Sequence, residues 1–164
     1  MLRVLRAIGW LVLGLAGLAV ITALVARISD GPIGPFPGGP LVAGDLVSGP
    51  DPDWSFAVEI PSIEIEVNAA NPRSRTVWLL VDQGELFVPA GLASRKTWPS
   101  QAVADGRVVV RVAGKRYQRQ ASRVTDPVRL DALRSALGRK YGVTVSPDGS
   151  DDTWFFRLAP RPTT

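Results

Sequence analysis

The sequence predicts an α+β fold: a small, mostly antiparallel β-barrel of about six strands with two attached helices, preceded by one transmembrane helix. Three observations predict it. An uncharged apolar run of twenty residues lies near the start of the chain. Short β-branched or alternating segments, separated by turn residues, fill the carboxyl-terminal two thirds. Only two stretches among them carry helix signals.

The apolar run extends from Ala7 to Ala26, with Thr22 its only hydroxyl. At about 1.5 Å per helical residue it reaches about 30 Å, the thickness of a bilayer's hydrocarbon core. Gly9, Gly14 and Gly17 would weaken an exposed soluble helix but are common in membrane helices. A cleaved signal peptide has a shorter run and small residues at the first and third positions before the cut, whereas this run ends Leu24, Val25, Ala26, Arg27. A core helix of a soluble domain shows a polar face, and none exists here. Residues 1–28 are therefore read as a retained signal anchor, with the lipid bilayer as partner of residues 7–26. Arg3, Arg6 and the terminal amine precede the run, and after Arg27 no Lys or Arg occurs before Arg73. The positive-inside rule then places the amino terminus in the cytoplasm and the main domain outside, on a single-pass protein of the cell membrane.

Residues 29–53 hold six Gly and six Pro without sustained apolar periodicity, and read as a loop or tether. Leu41–Val42 and Leu46–Val47 leave room for local docking. The folded domain is expected over residues 54–160, long enough for one independent core. Ile63, Glu64, Ile65, Glu66 and Val67 alternate as in a half-buried strand. Thr76 to Val81 turns through Asp82, Gln83 and Gly84 into Glu85 to Pro89, and Arg107–Val112 with Arg116–Val124 forms a second hairpin. Thr153 to Leu158 is the last strand, with Trp154, Phe156 and Leu158 on one face and Phe155 on the other. A short helix is expected over Trp98–Ala104 with Thr97 as cap. The second helix is capped by Asp126, starts with Pro127, carries Leu130, Leu133, Leu137 and Tyr141 on one stripe, and ends at Gly142.

With no His and no Cys, the chain lacks thiol nucleophiles, disulfides, histidine bases and the usual zinc, haem and copper ligand sets, and no metal is expected. Its charge is segregated: residues 1–27 carry three Arg and no acid, residues 28–72 seven acids and no base, and residues 73–164 sixteen bases and eight acids. Glu64 and Glu66 share the outer face of their strand and read as solvated. The hairpin of Arg107, Arg111, Lys115, Arg116, Arg119 and Arg123 is basic, but a domain outside the membrane has little access to nucleic acid, and none is expected as partner. Ser94, Arg95 and Lys96, just before a helix start, combine two cations and a hydroxyl with free backbone donors, a set suited to an anion such as phosphate.

The order Ser74, Arg75, Thr76, Val77, Trp78, Leu79, Leu80, then a hairpin, then Ser94, Arg95, Lys96 and a short helix resembles the pyridoxamine 5'-phosphate oxidase-like, FMN-binding split β-barrels. It is also similar to their deazaflavin-dependent nitroreductase branch, in which an aromatic follows the basic loop as Trp98 does and a Lys-Tyr-Gly like Lys140, Tyr141, Gly142 ends the later helix. The resemblance covers about residues 54–158. It implies a homodimeric, flavin- or deazaflavin-dependent oxidoreductase, nitroreductase-like, with FMN or an F420-type deazaflavin as cofactor. Arg75 then matches the strand arginine that reaches the cofactor phosphate, Ser94, Arg95 and Lys96 the loop completing that pocket, and Trp78 and Trp98 the flanks of a flat ring. Leu80 stands where the oxidases have a lysine, so one phosphate ligand of the pattern is missing. The alternative reading is a cofactor-free envelope interaction module on the same fold.

Overall fold

The computed structural model describes residues 2–146 and 152–161. Residues 147–151 of the expected domain and Met1 of the expected anchor lie outside the described residues. Helix α1 spans Leu2–Ile28 and is long and apolar enough to cross a membrane. Its side chains are exposed from Arg3 to Ile21, Thr22 and Ala23 are half-buried, and Ala26 is fully buried where the helix meets the rest of the chain.

The sheet comprises β1 (Leu46–Val47), β2 (Ser62–Val67), β3 (Arg73–Trp78), β4 (Leu80–Asp82), β5 (Glu85–Ala90), β6 (Arg107–Val112), β7 (Lys115–Arg123) and β8 (Trp154–Pro160). Its order is β3-β2-β6-β7-β8-β5-β4, antiparallel throughout, with β1 added parallel to β7. Two features account for eight strands where about six are expected. The two-residue β1 comes from the Gly/Pro-rich segment, and the strand expected over Thr76–Val81 breaks at Leu79. There the chain leaves its partner β2 and begins pairing with β5, so the two ends of the sheet order are covalently adjacent and the sheet curls on itself. Both hairpin turns have two residues with positive φ, Gln83-Gly84 and Ala113-Gly114, matching the right-handed twist of the flanking strands.

Period-two burial explains the core. Ile63, Ile65 and Val67 of β2, Leu86 and Val88 of β5, Val108, Val110 and Val112 of β6, and Phe156 and Leu158 of β8 face the interior, joined by Trp54 and Trp98. The opposite face of β4, β5 and β8 presents Leu80, Phe87 and Phe155 to Leu133 and Leu137 of helix α3 (Pro127–Tyr141). Asp126 caps α3 by accepting the Arg129 N–H at 2.7 Å, and Gly142 ends it with φ 65°. Helix α2 covers Thr97–Ala104; Lys96, not Thr97, holds the cap position, and Thr97 is the first helical residue.

The Gly/Pro-rich segment runs along the barrel. Gly38 bridges Ser74, Leu41 is buried, and the Leu41 N–H donates to Glu66 at 2.7 Å. Arg111 reaches both Asp30 and Glu64, and Arg119 reaches Asp51. Acids from residues 28–72 thus pair with two of the six cations of the basic hairpin. Gly44, at φ 92°, lets the segment approach the β6–β7 turn so closely that a Cβ would sit 2.1 Å from the Gly114 carbonyl oxygen.

Candidate functional site

The sheet leaves a seam. β5 pairs with β4 only as far as Phe87, and beyond it Val88–Ala90 face β3 with no ladder between them. Pro89 has no N–H to offer such a ladder. A cavity of about 660 Å³ occupies this seam, lined by Arg75, Thr76 and Trp78 of β3, Pro89 and Leu92 on the β5 side, and Lys96 and Trp98 beside α2. Pro35 and Pro37 of the docked segment complete its wall. Ser74 turns its N–H and C=O toward Gly38, so strand alternation turns those of Thr76 and Trp78 toward the same edge and into the seam.

The structure brings four of the six sequence-predicted site residues together in this cavity: Arg75, Trp78, Lys96 and Trp98. Arg75 is the most distinctive. Among the described residues four arginines have a buried Nε without a hydrogen-bond partner, Arg75, Arg119, Arg134 and Arg161. The other three bond through their terminal nitrogens, to Asp51, Asp131 and the Val108 carbonyl. Arg75 makes no hydrogen bond or ion pair with any described residue; its guanidinium carbon lies 6.0 Å from the centre of the Trp98 ring. Burial presses its ionisation below the ordinary arginine value. No carboxylate of the described residues lines the cavity. A partly buried cation, a lysine and two edge N–H groups without a counter-charge make a setting that favours an anion.

Trp78 is half exposed and held flat. Its ring stacks on Tyr141 at 4.5 Å between centroids and 8° between planes. Tyr141 is fixed in turn: its hydroxyl lies 2.6 Å from the Pro61 carbonyl and 2.7 Å from that of Leu79 as donor, and accepts the Leu79 N–H at 3.0 Å. Lys140 Nζ donates to the carbonyls of Ile60 and Leu79 at 2.7 and 2.8 Å. Burial lowers the Lys140 pKa, against an opposing pull from Glu59, and burial raises that of Tyr141. Lys140 and Tyr141 therefore clamp the β3–β4 corner and orient Trp78. The sequence signal for this pair is the end of the α3 stripe, but its target, Leu79, is visible only in the fold. Trp98 is buried against Phe156 and shows the cavity only part of its surface.

Ser94 and Arg95 lie outside the cavity lining. The Ser94 hydroxyl and N–H both donate to Asp152, at 2.6 and 2.7 Å, and these bonds hold the Asp152 carboxyl below the usual range. Arg95 is exposed beside the same carboxylate. Leu80 is buried under α3, on the face of the sheet away from the barrel interior. Among the described residues no cluster of acidic side chains is suited to a metal ion.

No protein-family model matches the sequence, and neither does any curated protein. Solved structures do match by fold. A pyridoxamine 5'-phosphate oxidase-like protein of Listeria innocua superposes with a TM-score of 0.51 at 14% identity, over 65% of this chain and 90% of its own. A conserved protein of Mycobacterium tuberculosis gives a TM-score of 0.51 at 13% identity, over 65% of this chain and 77% of its own. An F420 reductase gives 0.47 at 16% identity, over 70% and 97%. The fold of this chain is that of the pyridoxamine 5'-phosphate oxidase-like split barrels.

Proposed function

We propose that the chain is a membrane-anchored split-barrel oxidoreductase that holds a flavin or deazaflavin in the seam cavity. The observation that carries this reading is Arg75, partly buried without a counter-charge in a cavity that also presents Lys96 and a flat, fixed indole. These residues fit a phosphate-bearing aromatic group. Arg75 and Lys96 would hold the phosphate, Trp78 would offer its ring to a flat ring system, and Trp98, Leu92 and Pro89 would keep water from it. Such a cofactor supplies hydride transfer when bound, which amino-acid side chains do not offer. The protein's share is orientation: the Tyr141 stack fixes Trp78, and the corner at Leu79 fixes β3.

Ser94, Arg95 and Leu80 favour the rival reading, a cofactor-free interaction module, because none of them faces the cavity. Visible spectra of the full chain in detergent, with FMN and with an F420-type deazaflavin, separate the two. Retained or regained absorbance, lost in Arg75→Met, is expected for the oxidoreductase; no binding of either compound refutes it. The homodimer implied by the split-barrel resemblance is checked on the same sample by its mass in solution.

Anchoring is supported by how α1 ends. The Arg27 carbonyl accepts from Arg73 at 2.9 Å, the Gly39 N–H donates to Ser29 at 3.0 Å, and Ala26 is fully buried. Removing the helix near this point would strip the barrel of contacts it uses, so α1 is read as a retained anchor, with the amino terminus inside and the barrel outside. A reporter fused to the carboxyl terminus that is active only in the cytoplasm overturns this orientation.

A further inference from the structure

A second recess, of about 310 Å³, lies at the junction of α1 and the barrel, walled by Ala23 and Arg27 of α1, Arg73 and Arg75 of β3, and Thr97 and Gln101 of α2. It abuts the seam cavity, with which it shares Arg75 and Pro37. Three arginines converge here, and no carboxylate of the described residues lines it. Elsewhere on the barrel Arg107, Arg111, Arg119, Arg129, Arg134 and Arg157 each meet a carboxylate. The Arg27 side chain has no partner among the described residues, the Arg73 side chain donates only to the Arg27 carbonyl, and Arg75 has its buried, unpaired Nε. Like charges gathered without a counter-charge repel one another, and an anion relieves that cost.

The recess also sits at a defined height on the helix. Ala23 belongs to the apolar run and Arg27 is the first charge after it, so on the anchored reading the recess straddles the boundary between hydrocarbon and headgroups. There, a lipid phosphate is the anion present at high local concentration. We infer that the recess binds a phosphate group, that of an anionic phospholipid headgroup, between Arg27, Arg73 and Arg75. The acyl chains run down α1 past Ala23. This inference rests on the anchored reading but not on a bound flavin.

Native mass spectrometry of the full chain in neutral detergent micelles, titrated with phosphatidylglycerol, phosphatidylcholine or inorganic phosphate, tests it. One phosphatidylglycerol per chain is expected to bind in preference to phosphatidylcholine, with affinity falling about ten-fold or more in the double variant Arg27→Gln, Arg73→Gln. Arg27→Gln alone, at an exposed position whose side chain has no partner among the described residues, is expected to weaken binding without disturbing the fold. Arg27→Lys is expected to recover much of it. Saturation by inorganic phosphate with no further gain from lipid overturns the lipid source, and equal phosphatidylglycerol binding by wild type and double variant overturns the site. Release of the chain from membranes by alkaline carbonate would instead overturn the anchored reading. An integral protein without phosphatidylglycerol preference overturns this inference alone.

Discussion

Replacing Arg75 by Met is expected to make the ligand-free protein more stable while abolishing its affinity for phosphate-bearing ligands. A buried donor left without a partner costs about 1–3 kcal/mol, and Arg75 Nε is such a donor. Met keeps most of the aliphatic stem and removes the charge. The substitution also removes the guanidinium from the Trp98 ring, a contact worth about 0.5–1 kcal/mol at best, and at 6.0 Å it is near the limit of that interaction. The balance favours Met by up to about 2.5 kcal/mol. For a chain of this size that is a rise of up to about 10 °C in Tm. Thermal unfolding of the full chain in detergent, followed by tryptophan fluorescence, measures it, and a parallel FMN or deazaflavin titration should show binding lost. A functional residue held against the interest of stability gives this opposite pair of outcomes. A fall in Tm of more than about 1 °C in the ligand-free variant would refute the reasoning, since Arg75 would then be a structural cation.

Other perturbations read other parts of the molecule. Tyr141→Phe keeps the ring that stacks on Trp78 but leaves the fully buried Leu79 N–H without its acceptor, and should cost about 1–3 kcal/mol in denaturant unfolding. Leu80→Lys, which restores the residue type of the split-barrel pattern, should lose about 2–4 kcal/mol without tightening phosphate binding, because Leu80 packs under Leu133 and Leu137. Arg111→Ala removes the shared partner of Asp30 and Glu64 and should speed hydrogen exchange at the Val42 and Ala43 amides about ten-fold or more, by releasing the docked segment. Asp105, hydrogen-bonded by Arg107, has its pKa lowered to about 2. Its stabilising contribution is therefore present above its unfolded value near 3.8 and is lost as pH falls from there through about 2. In Arg107→Gln, an NMR titration of the Asp105 carboxyl should show its midpoint move back up toward the ordinary value.

The parts of the fold legible in the sequence are those set by neighbours in the chain. Asp126 and Pro127 start α3 through a local cap, the alternation from Ile63 to Val67 assigns a face to each residue, and Trp154, Phe156 and Leu158 turn inward while Phe155 turns out under α3. The break at Leu79 is not local. Nothing in Trp78-Leu79-Leu80 distinguishes a corner from a continuous strand; Tyr141, sixty-two residues on, supplies the acceptor that lets the Leu79 N–H leave the ladder. The candidate site divides the same way. Arg75 and Trp78 are three residues apart, so strand period puts them on opposite faces of β3, and only the open seam at the sheet edge brings both to one cavity; Lys96 and Trp98 reach it from the start of α2. Ser94 faces away because Asp152, fifty-eight residues later, claims both its donors. The role of Pro35 and Pro37 as a wall was hidden by composition, since a Gly/Pro-rich stretch looks the same whether it hangs free or lies along a sheet.

Charge explains why that stretch lies down. Residues 29–53 carry four acids and no base, and the hairpin they cross carries six bases, so docking brings opposite charges together and pairs Asp30 with Arg111 and Asp51 with Arg119. Arg116 joins in through the Leu41 and Gly44 carbonyls. Two of the hairpin's six cations, Arg111 and Arg119, are thereby paired with acids of the docked stretch. Arg27, Arg73, Arg75 and Lys96, which have no ion-pair partner among the described residues, gather where α1 meets the barrel and the seam opens. A free tether would let that end of the barrel take any attitude to α1. Here Asp30 is held by Arg111 two residues after α1 ends, and Arg73 grips the last turn of the helix. The height and facing of the seam relative to α1 are therefore fixed by the Asp30–Arg111 pair together with the Arg73 hydrogen bond. Releasing the first with Arg111→Ala should loosen the cationic end from α1 before it loosens the barrel core.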